Sequence, residues 1–92
     1  MRLIKKNQPS NQIVGDFLRK KRKEKMITGT EMGRLIHVSQ QQVSRYENGK
    51  TNLTIEVLSN YLTILNISWI DFIYSVGLES ELKLNKEENY YW

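Results

Sequence analysis

The feature that most restricts how this chain can fold is a pair of helix signals packed between Thr28 and Lys50. Thr28 with Glu31 three residues on has the form of a capping box, in which hydroxyl and carboxylate satisfy free N–H groups of a first helical turn. Met32, Leu35 and Ile36 then give the segment one apolar face, and Gly33 is small enough for a second helix to come close. After about three residues Ser39 can cap again, and Gly49 can end a helix in the left-handed region, so a second short helix is expected over about Gln40–Asn48. Val43 and Tyr46 share a face of it with the preceding Val38, which leaves Gln40, Gln41, Ser44, Arg45 and Asn48 opposite. Two short helices, a tight joint and a polar outer face on the second have the form of a helix-turn-helix.

The chemistry of that outer face suits double-stranded DNA. A side-chain amide gives and takes two hydrogen bonds at the major-groove edge of adenine, and a guanidinium donates two to guanine. An ordinary solvated helix face has the same polar character, so the surroundings have to decide between the two.

Charge favours the nucleic-acid reading. Net charge is +4, but residues 1–52 hold twelve Lys and Arg against four Asp and Glu, whereas residues 53–92 hold two against six. The half with the two-helix motif is therefore at +8 and the other at −4, a split expected of a molecule that meets a polyanion at one end and something else at the other. Ninety-two residues suit one domain. With no Cys and one His there is neither a disulfide framework nor a Cys/His zinc site. The basic start Met1–Lys6 lacks the apolar stretch of a secretion signal, and no run approaches the ~18 apolar residues of a membrane span, so a cytoplasmic location is expected. No phosphate-cradling Gly-rich loop, metalloprotease motif or supported Ser/His/Asp set is present; an enzyme, a metal and a cofactor are not expected.

In chain order, residues 1–9 form a basic arm that Pro9 separates from the rest; Leu3 and Ile4 suit a strand or a packed arm, Arg2, Lys5 and Lys6 suit a path along a DNA backbone, and a frayed terminus is the alternative. Ser10 is placed to cap a first helix to about Lys25, with Ile13, Val14, Phe17 and Leu18 as its apolar stripe and the basic run Arg19–Lys23 at its C-terminal end, where cations suit the helix dipole. Thr54 caps a fourth helix to about Leu65, with Ile55, Leu58, Tyr61, Leu62 and Leu65 on one side. Asn66 stands where a left-handed residue is wanted, and Ser68 opens a fifth helix with Trp69, Phe72, Ile73 and Val76 inward, ended by Gly77. The expected domain is all-α, with five helices over residues 10–77 and Ile13, Phe17, Leu18, Met32, Leu35, Val43, Ile55, Leu58, Leu62, Trp69, Phe72 and Ile73 buried. Residues 78–92 form an acidic, aromatic tail in which Leu82 and Leu84 alternate as in a strand. Tyr90, Tyr91 and Trp92 end the tail, and aromatics there suit a subunit contact, a disordered tail being the alternative.

From Thr28 to Lys50, with its flanking helices, the chain resembles the phage-repressor (XRE-like) helix-turn-helix family, the likeness extending over about Asn11–Val76. The run Ser39-Gln40-Gln41-Gln42-Val43-Ser44-Arg45-Tyr46-Glu47 is similar to the MrpJ-like regulators encoded with fimbrial operons in enteric bacteria. Two positions depart from the family pattern. Gly29 stands where a glutamine is usual, and His37 stands for the usual turn glycine, so His37 must adopt a left-handed conformation or shift the turn. The resemblance implies that Arg22 pairs with Glu47, locking the first helix to the reading helix. It also implies a DNA-binding transcriptional regulator linked to fimbriae and motility.

Gln40, Gln41, Ser44 and Arg45 are the expected base-reading residues, with Thr28, Ser39, Gln42, Asn48, Lys50 and Thr51 on phosphates. A homodimer is expected, because two reading helices related by a dyad can address half-sites ~34 Å apart; Leu82, Leu84, Tyr90, Tyr91 and Trp92 are its candidate contacts. A protein-interaction module and an antitoxin are the competing readings.

Overall fold

The computed structural model describes residues 9–88, with side-chain surroundings for residues 11–79. Its elements are α1 (Pro9–Glu24), α2 (Gly29–Ile36), α3 (Gln40–Glu47), α4 (Ile55–Leu65) and α5 (Trp69–Glu88), and no strand occurs among the described residues.

Three of the four joints share one construction. Met26-Ile27-Thr28, His37-Val38-Ser39 and Asn66-Ile67-Ser68 each begin with a left-handed residue, at φ 60°, 64° and 59°. Each continues with an aliphatic side chain half-buried against the core and ends with a hydroxyl. The middle N–H donates to the carbonyl five residues back: Ile27 to Arg22 at 3.2 Å, Val38 to Gly33 at 2.8 Å and Ile67 to Leu62 at 2.9 Å. The hydroxyl then accepts the N–H three residues on, Thr28 from Glu31 at 3.0 Å, Ser39 from Gln42 at 3.1 Å and Ser68 from Asp71 at 3.0 Å. Three residues thus satisfy the last carbonyls of one helix and the first N–H groups of the next. The α1–α2 joint adds Lys25 before this unit, and the α3–α4 joint is longer still: Gly49 takes the left-handed place at φ 71°, and Thr54 caps α4 by accepting from Val57 at 3.1 Å. Gly33 is needed at the α2–α3 joint, since a Cβ there would lie 2.7 Å from the Val38 carbonyl oxygen.

Ile13, Leu18, Met32, Ile36, Val43, Tyr46, Tyr61, Leu62, Leu65, Phe72 and Val76 form a single core, each large side chain removed from water contributing ~1.5–3 kcal/mol. Helix α1 is its axis and packs on α3, α4 and α5, while α2 packs on α3 and α4. Phe17 of α1 meets Phe72 of α5 edge-on, with centroids 5.6 Å apart.

The five expected helices are present, with corrections. Helix α1 begins at Pro9, not after it; proline suits a first helical position because its fixed φ fits and no N–H is needed there. Of the residues expected inside, Leu35 (49% exposed), Ile55 (74%), Trp69 (40%) and Ile73 (61%) face solvent, and Phe17 and Leu58 are half-buried. In α2 the inner row is Gly29, Met32, Gly33 and Ile36, which puts Leu35 on the flank. Ile55 is the first residue of α4, a turn beyond the core. Helix α5 packs chiefly on α1, so only the narrow row Phe72 and Val76 is covered and Trp69 and Ile73 fall beside it. Helix α5 also does not stop at Gly77 but continues to Glu88, so Leu82 and Leu84 are helical, not extended. Residues 1–8, Tyr90, Tyr91 and Trp92 lie outside the described residues, as do the side chains of Leu82 and Leu84. No single helix among the described residues is long and apolar enough to cross a membrane.

His37 occupies a conformation that costs a non-glycine residue ~1–2 kcal/mol, partly offset by the extra freedom glycine has when unfolded. His37→Gly is therefore expected to stabilise the fold by about 0.5–1 kcal/mol in urea denaturation.

Candidate nucleic-acid interface

Helix α3 is oriented from behind by two close contacts. At Gly15 of α1 a Cβ would lie 2.5 Å from the Glu47 carbonyl oxygen and 2.8 Å from that of Tyr46, so α1 meets the last turn of α3 backbone to backbone. One turn pair further along α1, Arg22 donates from Nε to Glu47 Oε2 and from Nη2 to Oε1, each at 2.8 Å. Its Nη1 donates to the Ile27 carbonyl at 2.7 Å, and the Tyr61 hydroxyl donates to Glu47 Oε2 at 3.0 Å. Arg22 and Glu47 are 8% and 3% exposed, and no buried side-chain nitrogen or oxygen among the described residues lacks a partner. The bond to Glu47 holds the Arg22 guanidinium above its usual pKa against the opposing effect of burial. Burial first, then the Glu47 charge, pushes the Tyr61 phenol up as well.

With Val43, Tyr46 and Glu47 inward, Gln40, Gln41, Ser44 and Arg45 are all exposed. Asn48 Nδ2 donates to Ser44 Oγ at 3.2 Å, and Arg45 Nε donates to Thr51 Oγ1 at 3.1 Å. The second bond holds the guanidinium without using its two terminal nitrogens, the pair that a bidentate contact to guanine employs. Thr28 and Ser39 cap α2 and α3 with their oxygens; the Ser39 hydroxyl hydrogen meets no acceptor among the described residues, whereas the Thr28 hydroxyl donates to Glu31 Oε1 at 3.5 Å. Gln42 and Thr51 are half-buried, and Asn48 and Lys50 are exposed at the far end of α3.

A polar cleft of about 180 Å³ separates α3 from α1 and the start of α2. Gln40, Ser44 and Asn48 line one wall and Arg19 the other, with Gly29 at the end. Sequence reasoning left Arg19 in an undivided basic run, because only the packing angle of α1 on α3 separates it from Lys20 and Lys23. It placed Tyr61 in the core stripe without its polar role. The signal available was that a buried tyrosine hydroxyl needs a partner. A glycine inside a helix, as at Gly15, similarly signals a close approach.

A short helix seated by its inner face, preceded by another across a three-residue turn and exposing a row of amides, a hydroxyl and a guanidinium, defines a helix-turn-helix DNA-binding domain. The chain belongs to the helix-turn-helix family HTH_3, whose model matches residues 18–72. It is 28% identical over 61 residues to the antitoxin PezA of Streptococcus pneumoniae, a stretch that covers 66% of this chain and 39% of that protein. It is similar in structure to the clp gene regulator ClgR of Corynebacterium glutamicum, at a TM-score of 0.75 and 24% identity over 86% of this chain and 84% of that one. A second ClgR structure gives 0.68 and 25%, over 74% and 87%.

Arg22→Ala leaves the Glu47 carboxylate buried with one donor, and a loss of about 3–5 kcal/mol is expected by urea denaturation. Tyr61→Phe is expected to cost about 1–2 kcal/mol at pH 7. Because the Tyr61 pKa is raised on folding, its contribution is complete below the ordinary tyrosine value of ~10 and is lost as pH rises above it. The fall in stability between pH 9 and 11.5 should accordingly be shallower in Tyr61→Phe than in the parent chain.

Proposed function

We propose that the protein is a sequence-specific regulator of transcription that inserts α3 into the major groove of double-stranded DNA and acts as a homodimer. The observation that carries this reading is the division of α3 into a buried face of Val43, Tyr46 and Glu47 and an exposed face of Gln40, Gln41, Ser44 and Arg45. Side chains on the second face are spared from packing and are of the kinds that pair with adenine and guanine edges. Ser39, Gln42, Asn48, Lys50 and Thr51 surround them with donors that suit phosphate and set the register of the helix on the duplex, while Thr28 directs both its donors to Glu31. Neutralising Glu47 with Arg22 removes a carboxylate that would otherwise repel the DNA backbone.

Dimerisation is supported by the small reach of one eight-residue helix, which covers only a few base pairs, and by the aromatic tail ending in Tyr90, Tyr91 and Trp92. The nine-residue likeness to the MrpJ-like group supports control of fimbrial and motility genes, and such a regulator works on the chromosome in the cytoplasm. The similarity to PezA favours a second reading, an antitoxin that binds both DNA and a toxin protein. Co-purification with the product of an adjacent gene would select it.

Arg45→Ala should weaken binding to the preferred duplex by about 1–3 kcal/mol and flatten preference at one or two base pairs, without loss of fold. Lys50→Ala should weaken specific and non-specific duplexes together and lower the salt slope by roughly one contact. Competition binding against single-base variants measures both; an equal loss for every variant with Arg45→Ala would make Arg45 a phosphate clamp.

A further inference from the structure

The basic run of α1 divides once each side chain is given its surroundings. Arg22 is committed to Glu47, and Lys21 pairs with Glu24 at 3.5 Å and lies over the Phe17 ring. Lys20 and Lys23 line a shallow outer face of α1 together with Asp16 and Glu24, so carboxylates stand among them. Arg19 borders that face too, but it alone of the exposed members of the run also lines the cleft between α1 and α3. Helical spacing accounts for this: Gly15, Arg19 and Arg22 fall at i, i+4 and i+7, the row that α1 turns toward α3.

The cleft suits one anionic group. Val43, Arg22 and Glu47 are buried at its floor, and Arg19, Gln40, Ser44 and Asn48 are exposed along its walls. Each of those four polar side chains can donate a hydrogen bond. The Glu47 carboxylate, the one anion of the lining, already accepts three bonds from Arg22 and Tyr61, so that pair cancels and Arg19 leaves the lining at +1. Asn48 Nδ2 uses one hydrogen on Ser44 Oγ, which orients the amide and leaves its other hydrogen. At about 180 Å³ the cleft is smaller than the ~300–1,000 Å³ of pockets that enclose whole ligands, and its donors suit a single oxyanion.

Position decides which oxyanion. With the N-terminal end of α3 turned to base edges, α1 stands outside the groove, and Asn48 lies at the far end of α3. Beside a helix lying in the groove runs a sugar–phosphate strand, so a guanidinium on α1 meets a phosphate and not a base. We propose that Arg19 and Asn48 hold the same backbone phosphate from the two walls of this cleft. This rests on the DNA-binding reading and adds to it a positioning contact from α1, which sets how far α3 enters the groove.

Fluorescence anisotropy of the full chain, on a duplex it selects from random DNA and on an unrelated one over a range of salt, tests the proposal. The variants are Arg19→Ala, Asn48→Ala, the two combined, and Lys20→Ala, with thermal unfolding of each to verify that these exposed positions leave the fold intact. Arg19→Ala is expected to weaken binding to both duplexes about fivefold to tenfold at 0.1 M salt and to lower the salt slope by about 0.9, one phosphate contact. Because the two residues share a phosphate, the loss from Asn48→Ala is expected to shrink by about threefold or more once Arg19 is gone, whereas contacts to separate phosphates would add. Lys20→Ala, outside the cleft, is expected to change binding far less. Unchanged binding with Arg19→Ala, or additive losses, would overturn the inference and leave the DNA-binding reading standing. A loss confined to the selected duplex would make Arg19 a base contact, and an equal loss with Lys20→Ala would reduce it to overall charge; either result also overturns the shared phosphate. A parent chain with no salt-dependent binding to any duplex would overturn the DNA-binding reading itself.

Discussion

The Arg22–Glu47 pair is the interaction on which the arrangement of the other helices depends. It joins residues 25 apart, and through Tyr61 and the Ile27 carbonyl it reaches α4 and the α1–α2 joint as well. Taking two opposite charges out of water is costly, and the attraction between them offsets this only when geometry is good and the remaining lone pairs are met. Here the guanidinium donates through three nitrogens and the carboxylate accepts three bonds. The main effect is on position: the planar fork allows one orientation of Glu47, and Glu47 is the last residue of α3. Gly15 then sets how close α1 stands to that same turn.

With its last turn clamped, α3 can carry unrelated demands on its two sides. The inner face is committed to packing and ion pairing, and its side chains bear on every neighbouring helix. The outer face is bonded only within its own end of the helix, Ser44 to Asn48 and Arg45 to Thr51, so residues there can change without disturbing what lies behind. The charge split follows the same division, the positive excess lying in the part of the chain that holds α1, α2 and α3.

Local features of this fold were legible in the sequence because they are decided within a few residues. The caps at Thr28, Ser39, Thr54 and Ser68, the left-handed Asn66 and Gly49, and the choice at His37 all depend on neighbours up to five positions away. The polar row of α3 was legible for the same reason, since periodicity alone assigns it to one side. What periodicity does not reveal is how much of an apolar side a neighbour covers, which is why Leu35, Ile55, Trp69 and Ile73 are outside. The continuation of α5 past Gly77 reflects how weak a single unfavourable propensity is beside the residues around it. Arg22 and Glu47 were linked only by family likeness, because 25 residues of separation carry no local signal. Arg19 and Tyr61 needed the packing itself.

The repeated three-residue joint bears on the order in which the molecule assembles. At Met26-Ile27-Thr28, His37-Val38-Ser39 and Asn66-Ile67-Ser68 every stabilising bond closes over at most five residues, so little chain entropy is lost in making each corner. Such corners form on the timescale of helix formation itself, ahead of any contact between distant segments. Most of the topology is thereby specified before the core condenses, and the slower search is confined to bringing α1 onto α3 and α5. Low average separation between contacting residues is the property that makes helical domains fold quickly. For a chain of this length, it shortens the interval in which the apolar rows of α4 and α5 are open to the wrong neighbours.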